Sequence, residues 1–181
     1  MKHFRILTAL AASILACLGM PALAALPVGA HAPEFVADAS LAGKPFHFDL
    51  AAALAKGPVV LYFYPAAFTS GCTIEAHDFA EATAEFARLG ATVIGVSKDD
   101  IATLNRFSVS ECRSKFAVAS ADARLIAAYR VKLPLLGVSN RTSFVIAPDG
   151  RILFVYSALD PAGHVAKTLA AVRAWRAAHG G

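Results

Sequence analysis

Two uninterrupted apolar runs, residues 59–63 and 93–96, stand out from the rest of the chain. Runs of that length without polar alternation predict strands buried on both faces, in the middle of a sheet covered by helices. Including their flanks, the two strands are expected over 59–64 and 91–97. Shorter apolar or alternating segments predict further strands at 35–38, 45–48, 116–119, 143–147 and 151–157. Between the last two, Pro148-Asp149-Gly150 reads as a hairpin turn in which glycine supplies the positive φ, so those strands should be antiparallel neighbours.

Helical periodicity is clearest after Cys72, where Phe79, Ala82, Phe86 and Leu89 recur at three- and four-residue spacing and Gly90 follows as a stop. Asp78, Glu81, Glu85 and Arg88 fill the opposite side, which reads as a solvated face. Asp99 or Asp100 can cap a helix containing Ile101, Leu104 and Phe107, and Asp122 can cap one running through Leu125 and Tyr129. Val165, Leu169, Val172 and Trp175 stripe a terminal helix, with Trp175 expected in the core. Strands and helices in this order, closed by a hairpin and a helix, predict an α/β fold with a mixed central sheet sandwiched by helices. The link 131–141, with Pro134 and Gly137, is expected to be a mobile loop.

The chemistry concentrates in Pro65-Ala66-Ala67-Phe68-Thr69-Ser70-Gly71-Cys72, where a strand hands over to a helix. A helix start presents unpaired N–H groups and partial positive charge, and both favour a thiolate over a thiol. A free cysteine is only about 3% thiolate at pH 7, whereas a pKa near 6 would make it about 90% reactive. Pro65 ends the strand, Thr69 offers a hydroxyl three residues before the sulfur, and Gly71 permits close backbone approach. A lone cysteine is more often an inert small hydrophobe; here the neighbours complete Pro-x-x-x-Thr-x-x-Cys.

That motif resembles the peroxidatic motif of the peroxiredoxins, thiol-dependent peroxidases on a thioredoxin-like fold. The resemblance covers nearly all of the chain after residue 24. Val28-Gly29-Ala30-His31-Ala32-Pro33-Glu34-Phe35 is similar to the family's opening segment, and Tyr62-Phe63-Tyr64-Pro65 to its active-site strand. Cys72-Thr73-Ile74-Glu75-Ala76 resembles the catalytic helix of the bacterioferritin-comigratory branch. Residues 140–150, beginning Asn140-Arg141-Thr142-Ser143, resemble the strand that delivers an active-site arginine. The resemblance implies that Arg141 is that arginine and Glu75 the acid that orients it. It implies peroxide substrates and a thioredoxin-like or low-molecular-weight thiol reductant. Many members of this branch carry a second cysteine five residues after the first. His77 stands there in this chain, and five residues of helix point it to another side, where it reads as a surface histidine.

The N-terminus has the form of a removable targeting segment: Lys2 and Arg5, an apolar stretch over 6–20, then Ala22-Leu23-Ala24. Cleavage after Ala24 would leave residues 25–181 as one domain, periplasmic or secreted and not inserted in a membrane. A lipoprotein signal ending at Cys17 is the rival reading. Loss of Lys2 and Arg5 lowers the formal net charge from +4 to +2, and the remaining basic residues are spread among acids, so no nucleic-acid surface is implied. A monomer is the expected state.

Cys72 and Cys112 then remain, an even pair that suggests a disulfide in an oxidising compartment. A structural staple closing about 40 residues would stabilise the fold by roughly 4 kcal/mol in the chain-entropy model. The alternative makes Cys112 a resolving cysteine. Its polar surroundings, with Arg113 and Lys115 close by, predict an accessible thiol near positive charge. A peroxidatic Cys72 must sit in its helical turn before oxidation, so this alternative expects two separate thiols in the reduced protein.

Six scattered histidines form no Cys/His cluster, and no Gly-rich phosphate loop follows a strand, so neither a metal nor a nucleotide cofactor is indicated. Two other classes remain open. A thioredoxin-like disulfide oxidoreductase would have Cys-x-x-Cys where this chain has Thr69-Ser70-Gly71-Cys72, and a non-enzymatic secreted module would use its two cysteines only as a staple.

Overall fold

The computed structural model describes residues 24–179; the targeting segment up to residue 23, with Cys17, lies outside them. Seven strands form one mixed sheet: β1 (Val36–Leu41), β2 (Lys44–Asp49), β3 (Val59–Phe63), β4 (Thr92–Ser97), β5 (Ala117–Ser120), β6 (Thr142–Ile146) and β7 (Ile152–Ser157), in the spatial order β2-β1-β5-β4-β3-β6-β7. The uniformly apolar runs take the central places. All five residues of β3 are buried, and the strand pairs parallel with β4 and antiparallel with β6. β6 and β7 are antiparallel neighbours, as the turn predicts, with Gly150 at φ +81°.

Five helices complete the described chain: α1 (Leu50–Leu54), α2 (Ser70–Arg88), α3 (Ile101–Ser110), α4 (Ala123–Ala128) and α5 (His164–His179). Asp100 and Asp122 cap α3 and α4 by accepting from Thr103 N and Leu125 N. The sequence reading misses α1, a single turn capped by Asp49.

Two apolar clusters lie on opposite faces of the sheet, because alternate residues of a strand point to opposite sides. Leu61, Phe63, Ile94, Val96, Phe144 and Tyr129 join one cluster. Val60, Tyr62, Tyr64, Phe79, Phe107 and both cysteines join the other. Tyr62 lies over Gly95, where an added Cβ would meet the ring at 2.7 Å, and stacks on Phe79 at 4.3 Å.

One expectation needs correction. Trp175 is only half-buried and stacks on His179 at 4.9 Å; α5 is a peripheral helix whose buried stripe ends at Val172. The polar face of α2 is solvated as expected, with Asp78, Glu81 and Arg88 exposed, and it carries surface ion pairs from Glu85 to Arg173 of α5 and from Glu81 to Arg113. The link 131–141 is closed upon itself. Leu133 N donates to Val138 O, Asn140 N to Val131 O, and the Ser139 hydroxyl to Tyr64 O at the end of the active strand.

Candidate active site

Pro65 follows β3 and prevents the strand from continuing its ladder. The turn then places Phe68 at φ +63°, a left-handed conformation that costs a non-glycine residue about 1–2 kcal/mol. Edge-on packing of the Phe68 ring against Phe107, at 5.2 Å between centroids, offsets part of that cost. Thr69 is the N-cap of α2, yet its hydroxyl donates to Ala66 O rather than receiving a backbone N–H. Cys72 is the third residue of the helix, within the turn whose N–H groups have no intrahelical acceptors.

Arg141, just ahead of β6, reaches this turn from the neighbouring strand. Its Nη2 donates to Cys72 Sγ at 3.5 Å, its Nη1 to Glu75 Oε2, and its Nε to Leu159 O at 2.9 Å. The guanidinium is therefore held on three sides. Burial works against its charge, and Glu75 and Cys72 more than offset this, keeping Arg141 above its ordinary value. A Cβ at Gly71 would come within 3.0 Å of Nη2, so the close approach foreseen there is that of the arginine. Cys72, Glu75 and Arg141 are thus brought together, with Thr69 one helical turn ahead of the sulfur and Pro65 half-buried at the strand end.

Burial pushes the Glu75 carboxyl up to about 8 despite the opposing pull of Arg141. Its second oxygen, Oε1, faces Nδ1 of His164 at 3.5 Å. His164 is buried at the start of α5, accepts or donates with Ser143 Oγ at Nδ1 (2.8 Å), and contacts Ala158 O through Nε2 (3.0 Å). Burial holds the imidazole down at about 4. The sequence reading passes over His164 as one of six scattered histidines. Its only local signal is a histidine opening a helix after Asp160-Pro161-Ala162-Gly163.

Cys112 corrects an expectation. The thiol is fully buried in the same apolar cluster as Cys72. Burial, with the nearby Glu111 carboxylate, drives it far above the ordinary thiol range. Arg113 turns away to Glu81, while Arg113 and Ser114 adopt φ +50° and +57°. His77 is partly exposed, in keeping with a surface histidine, and its pairing with Glu111 at 2.9 Å ties α2 to the end of α3. Both cysteines are free thiols. Tyr62, its hydroxyl unpartnered among the described residues, and Tyr64 are electrostatic neighbours of both sulfurs.

A thiol at the strand-to-helix turn of a mixed sheet, with helices on both faces, defines a thioredoxin-like α/β thiol protein. Residues 28–155 match the AhpC/TSA family. A putative peroxiredoxin of Mycobacterium tuberculosis strain H37Rv is 38% identical over 131 residues, covering 70% of this chain and 85% of its own. Peroxiredoxin Bcp of Xanthomonas campestris is 32% identical over 123 residues, 64% of this chain and 76% of its own. The crystal structure of peroxidoxin BcpB from M. tuberculosis superposes with a TM-score of 0.71 at 37% identity, covering 81% of this chain and 96% of that one.

The chain belongs to the AhpC/TSA family. It is a peroxiredoxin, a thiol-dependent peroxidase.

Proposed function

We propose that this peroxiredoxin reduces hydrogen peroxide and organic hydroperoxides with Cys72 as the nucleophile. The hydrogen bond from Arg141 Nη2 to Cys72 Sγ at the start of α2 carries the reading. The thiolate attacks the terminal peroxide oxygen; an S–O bond forms, the O–O bond breaks, and the departing oxygen takes a proton to leave as water or an alcohol. Arg141 stabilises first the thiolate and then the charge developing on the peroxide oxygens. Glu75 holds Arg141 in that position. Thr69 Oγ1, already donating to Ala66 O, keeps lone pairs with which to accept the peroxide hydrogen, and the Cys72 N–H orients the second oxygen. Pro65 shields the sulfur from bulk water. Purified, folded Cys72→Ser is expected to consume no peroxide with a thiol reductant, and persistent consumption overturns the assignment.

The sulfenic acid is returned to the thiol by Cys112, through an intramolecular disulfide, and then by a thioredoxin-like protein or a small thiol. Because Cys112 is buried, this route requires the first turn of α2 to unwind and the segment around Cys112 to move. The same burial favours a second reading, in which an external thiol attacks Cys72 directly. Mass analysis after one equivalent of hydrogen peroxide separates them: loss of two hydrogens per chain supports the disulfide, and added oxygen on Cys72 with Cys112 still free supports the one-cysteine route.

Ala22-Leu23-Ala24 behind a short apolar stretch supports export, with residues 25–181 acting as one monomeric domain. N-terminal sequencing of the protein from its native cells is expected to begin at Ala25; a lipidated Cys17 or an uncut Met1 contradicts this.

A further inference from the structure

The Arg141 assembly contains an inconsistency of charge that geometry resolves in one way. Ala158 O can only accept, so the Nε2 of His164, 3.0 Å away, carries a hydrogen. In a neutral imidazole Nδ1 is then a bare lone pair, and Ser143 Oγ at 2.8 Å donates to it. Glu75 Oε1 lies 3.5 Å from the same nitrogen, fully buried and without a hydrogen-bond donor among the described residues. An ionised carboxylate would therefore turn an unpartnered oxygen toward a nitrogen lone pair already taken by the Ser143 hydroxyl, in a dry interior where an unmatched polar group costs on the order of 1–3 kcal/mol.

One proton removes the conflict. We propose that Glu75 and His164 hold a single proton in the gap between Oε1 and Nδ1, which makes His164 a positioning residue for Arg141. The inference rests on the peroxidase reading of Cys72. With the proton on Oε1, the carboxylic acid shares the Nδ1 lone pair with the Ser143 hydroxyl as a longer second donor, while Oε2 still accepts from Arg141 Nη1. With the proton on Nδ1, an imidazolium faces a carboxylate. In both forms the Glu75–His164 pair is neutral, so the guanidinium charge is not cancelled from behind and remains available to a thiolate at Cys72. Loss of the proton leaves the pair at −1 and neutralises Arg141, opposing both the thiolate and the charge of the transition state.

The groups facing the pair come from every element packed on it. They are Asp78 on α2, Tyr62 on β3, Arg141 before β6 with Cys72 on its far side, Asp160 in the link to α5, and Lys167 on α5, which lies 3.7 Å over the Tyr156 ring. Tyr156 packs edge-on against His164 at 4.7 Å. Burial, Arg141 and Lys167 outweigh Ala158 O and Asp160 in opposing an extra proton on the imidazole, and burial outweighs the pull of Arg141 in opposing a negative Glu75, so Oε1 is the favoured seat.

The test uses the reduced full protein. Isotope-edited NMR of the Glu75 carboxyl carbon and the His164 ring nitrogens should show a carboxyl that keeps its proton through neutral pH, with Nδ1 responding in the same step. A Glu75 carboxylate already ionised at pH 6 beside a neutral His164 overturns the proposal without touching the role of Cys72. Kinetically, the wild-type rate with hydrogen peroxide should fall above about pH 8, where the pair loses its proton. His164→Leu, which removes the acceptor, should move that fall to lower pH by about one unit and slow the reaction at pH 7.5 by about tenfold. Glu75→Gln, whose amide can donate to His164 and accept from Arg141, should lose the alkaline fall and stay at least about tenfold faster than Glu75→Ala. Equal losses in the two Glu75 variants, or a wild-type profile in His164→Leu, overturn the proposal, whereas an active Cys72→Ser would instead overturn the peroxidase reading.

Discussion

Cys72 and Cys112 share one apolar cluster and are both buried, yet their electrostatic surroundings are opposite. Cys72 stands within the first turn of α2 with a guanidinium on its sulfur. Cys112 follows the end of α3, beside the carboxylate of Glu111 and with its neighbouring arginine turned outward. Burial alone therefore does not decide whether a thiol is reactive. On the function proposed above, the sign of the charge held beside it does, and here that sign is positive at one sulfur and negative at the other.

The sharpest way to break this comparison is to exchange each sulfur for oxygen. Cys72→Ser should lower peroxide reduction by at least about a thousandfold, since the attacking thiolate is gone. The serine hydroxyl can still accept from Arg141, so its loss of stability should stay below about 1 kcal/mol. Cys112→Ser should show the reverse asymmetry: an unpartnered hydroxyl in an apolar site should cost about 1–3 kcal/mol in urea denaturation, while one equivalent of peroxide is still consumed in a single turnover. Comparable activity losses in the two variants would erase the distinction.

Next in size is the charge itself. Arg141→Met should slow the reaction by about a hundredfold or more through loss of oxyanion-type stabilisation. In competition with iodoacetamide at neutral pH, the wild type should be alkylated at Cys72 at least about a hundredfold faster than at Cys112, and urea should bring the rates together.

A smaller effect appears in stability against pH. Glu75 has a folded pKa raised to about 8 from 4.5, so the unfolded chain releases this proton first and stability falls as pH rises from about 4.5 to 8. His164, lowered to about 4 from 6.5, works oppositely, adding stability as pH rises from about 4 to 6.5. The two partly cancel below pH 6.5, leaving a net decline on the order of 1 kcal/mol between pH 6.5 and 8. Chemical denaturation at those two pH values should show the decline in the wild type and not in Glu75→Gln. Smallest of all, Ser114→Gly, which relieves the left-handed backbone behind Cys112, should stabilise the fold by a few tenths to about 1 kcal/mol in the same assay.

Much of this arrangement was legible before any coordinates. Uninterrupted apolar residues put β3 and β4 at the centre of the sheet, the spacing of Phe79 and Phe86 gave α2, and the proline, threonine and cysteine marked its entrance. What was hidden depended on contacts across the fold. Cys112 sits among Ser110, Glu111, Arg113 and Ser114, whose polarity suggests exposure, but the chain turns there and sends the thiol inward as its neighbours stay outside. His164 acquires meaning only when α5 brings it to Glu75 and Ser143. The single turn of α1 is too short for its apolar spacing to show a period.

The ring of Tyr62 resting where Gly95 has no side chain divides the molecule into a fixed frame and a mobile fringe. A tyrosine seated on bare backbone and stacked on Phe79 is tightly confined, so on the disulfide route proposed above the sheet stays in place while the two sulfurs approach each other. The travel must come from the helix ends alone. Such excursions belong to microseconds and milliseconds, and relaxation dispersion in the oxidised or turning-over protein should light up around Thr69–Glu75 and Ser110–Lys115 while β3 and β4 stay silent.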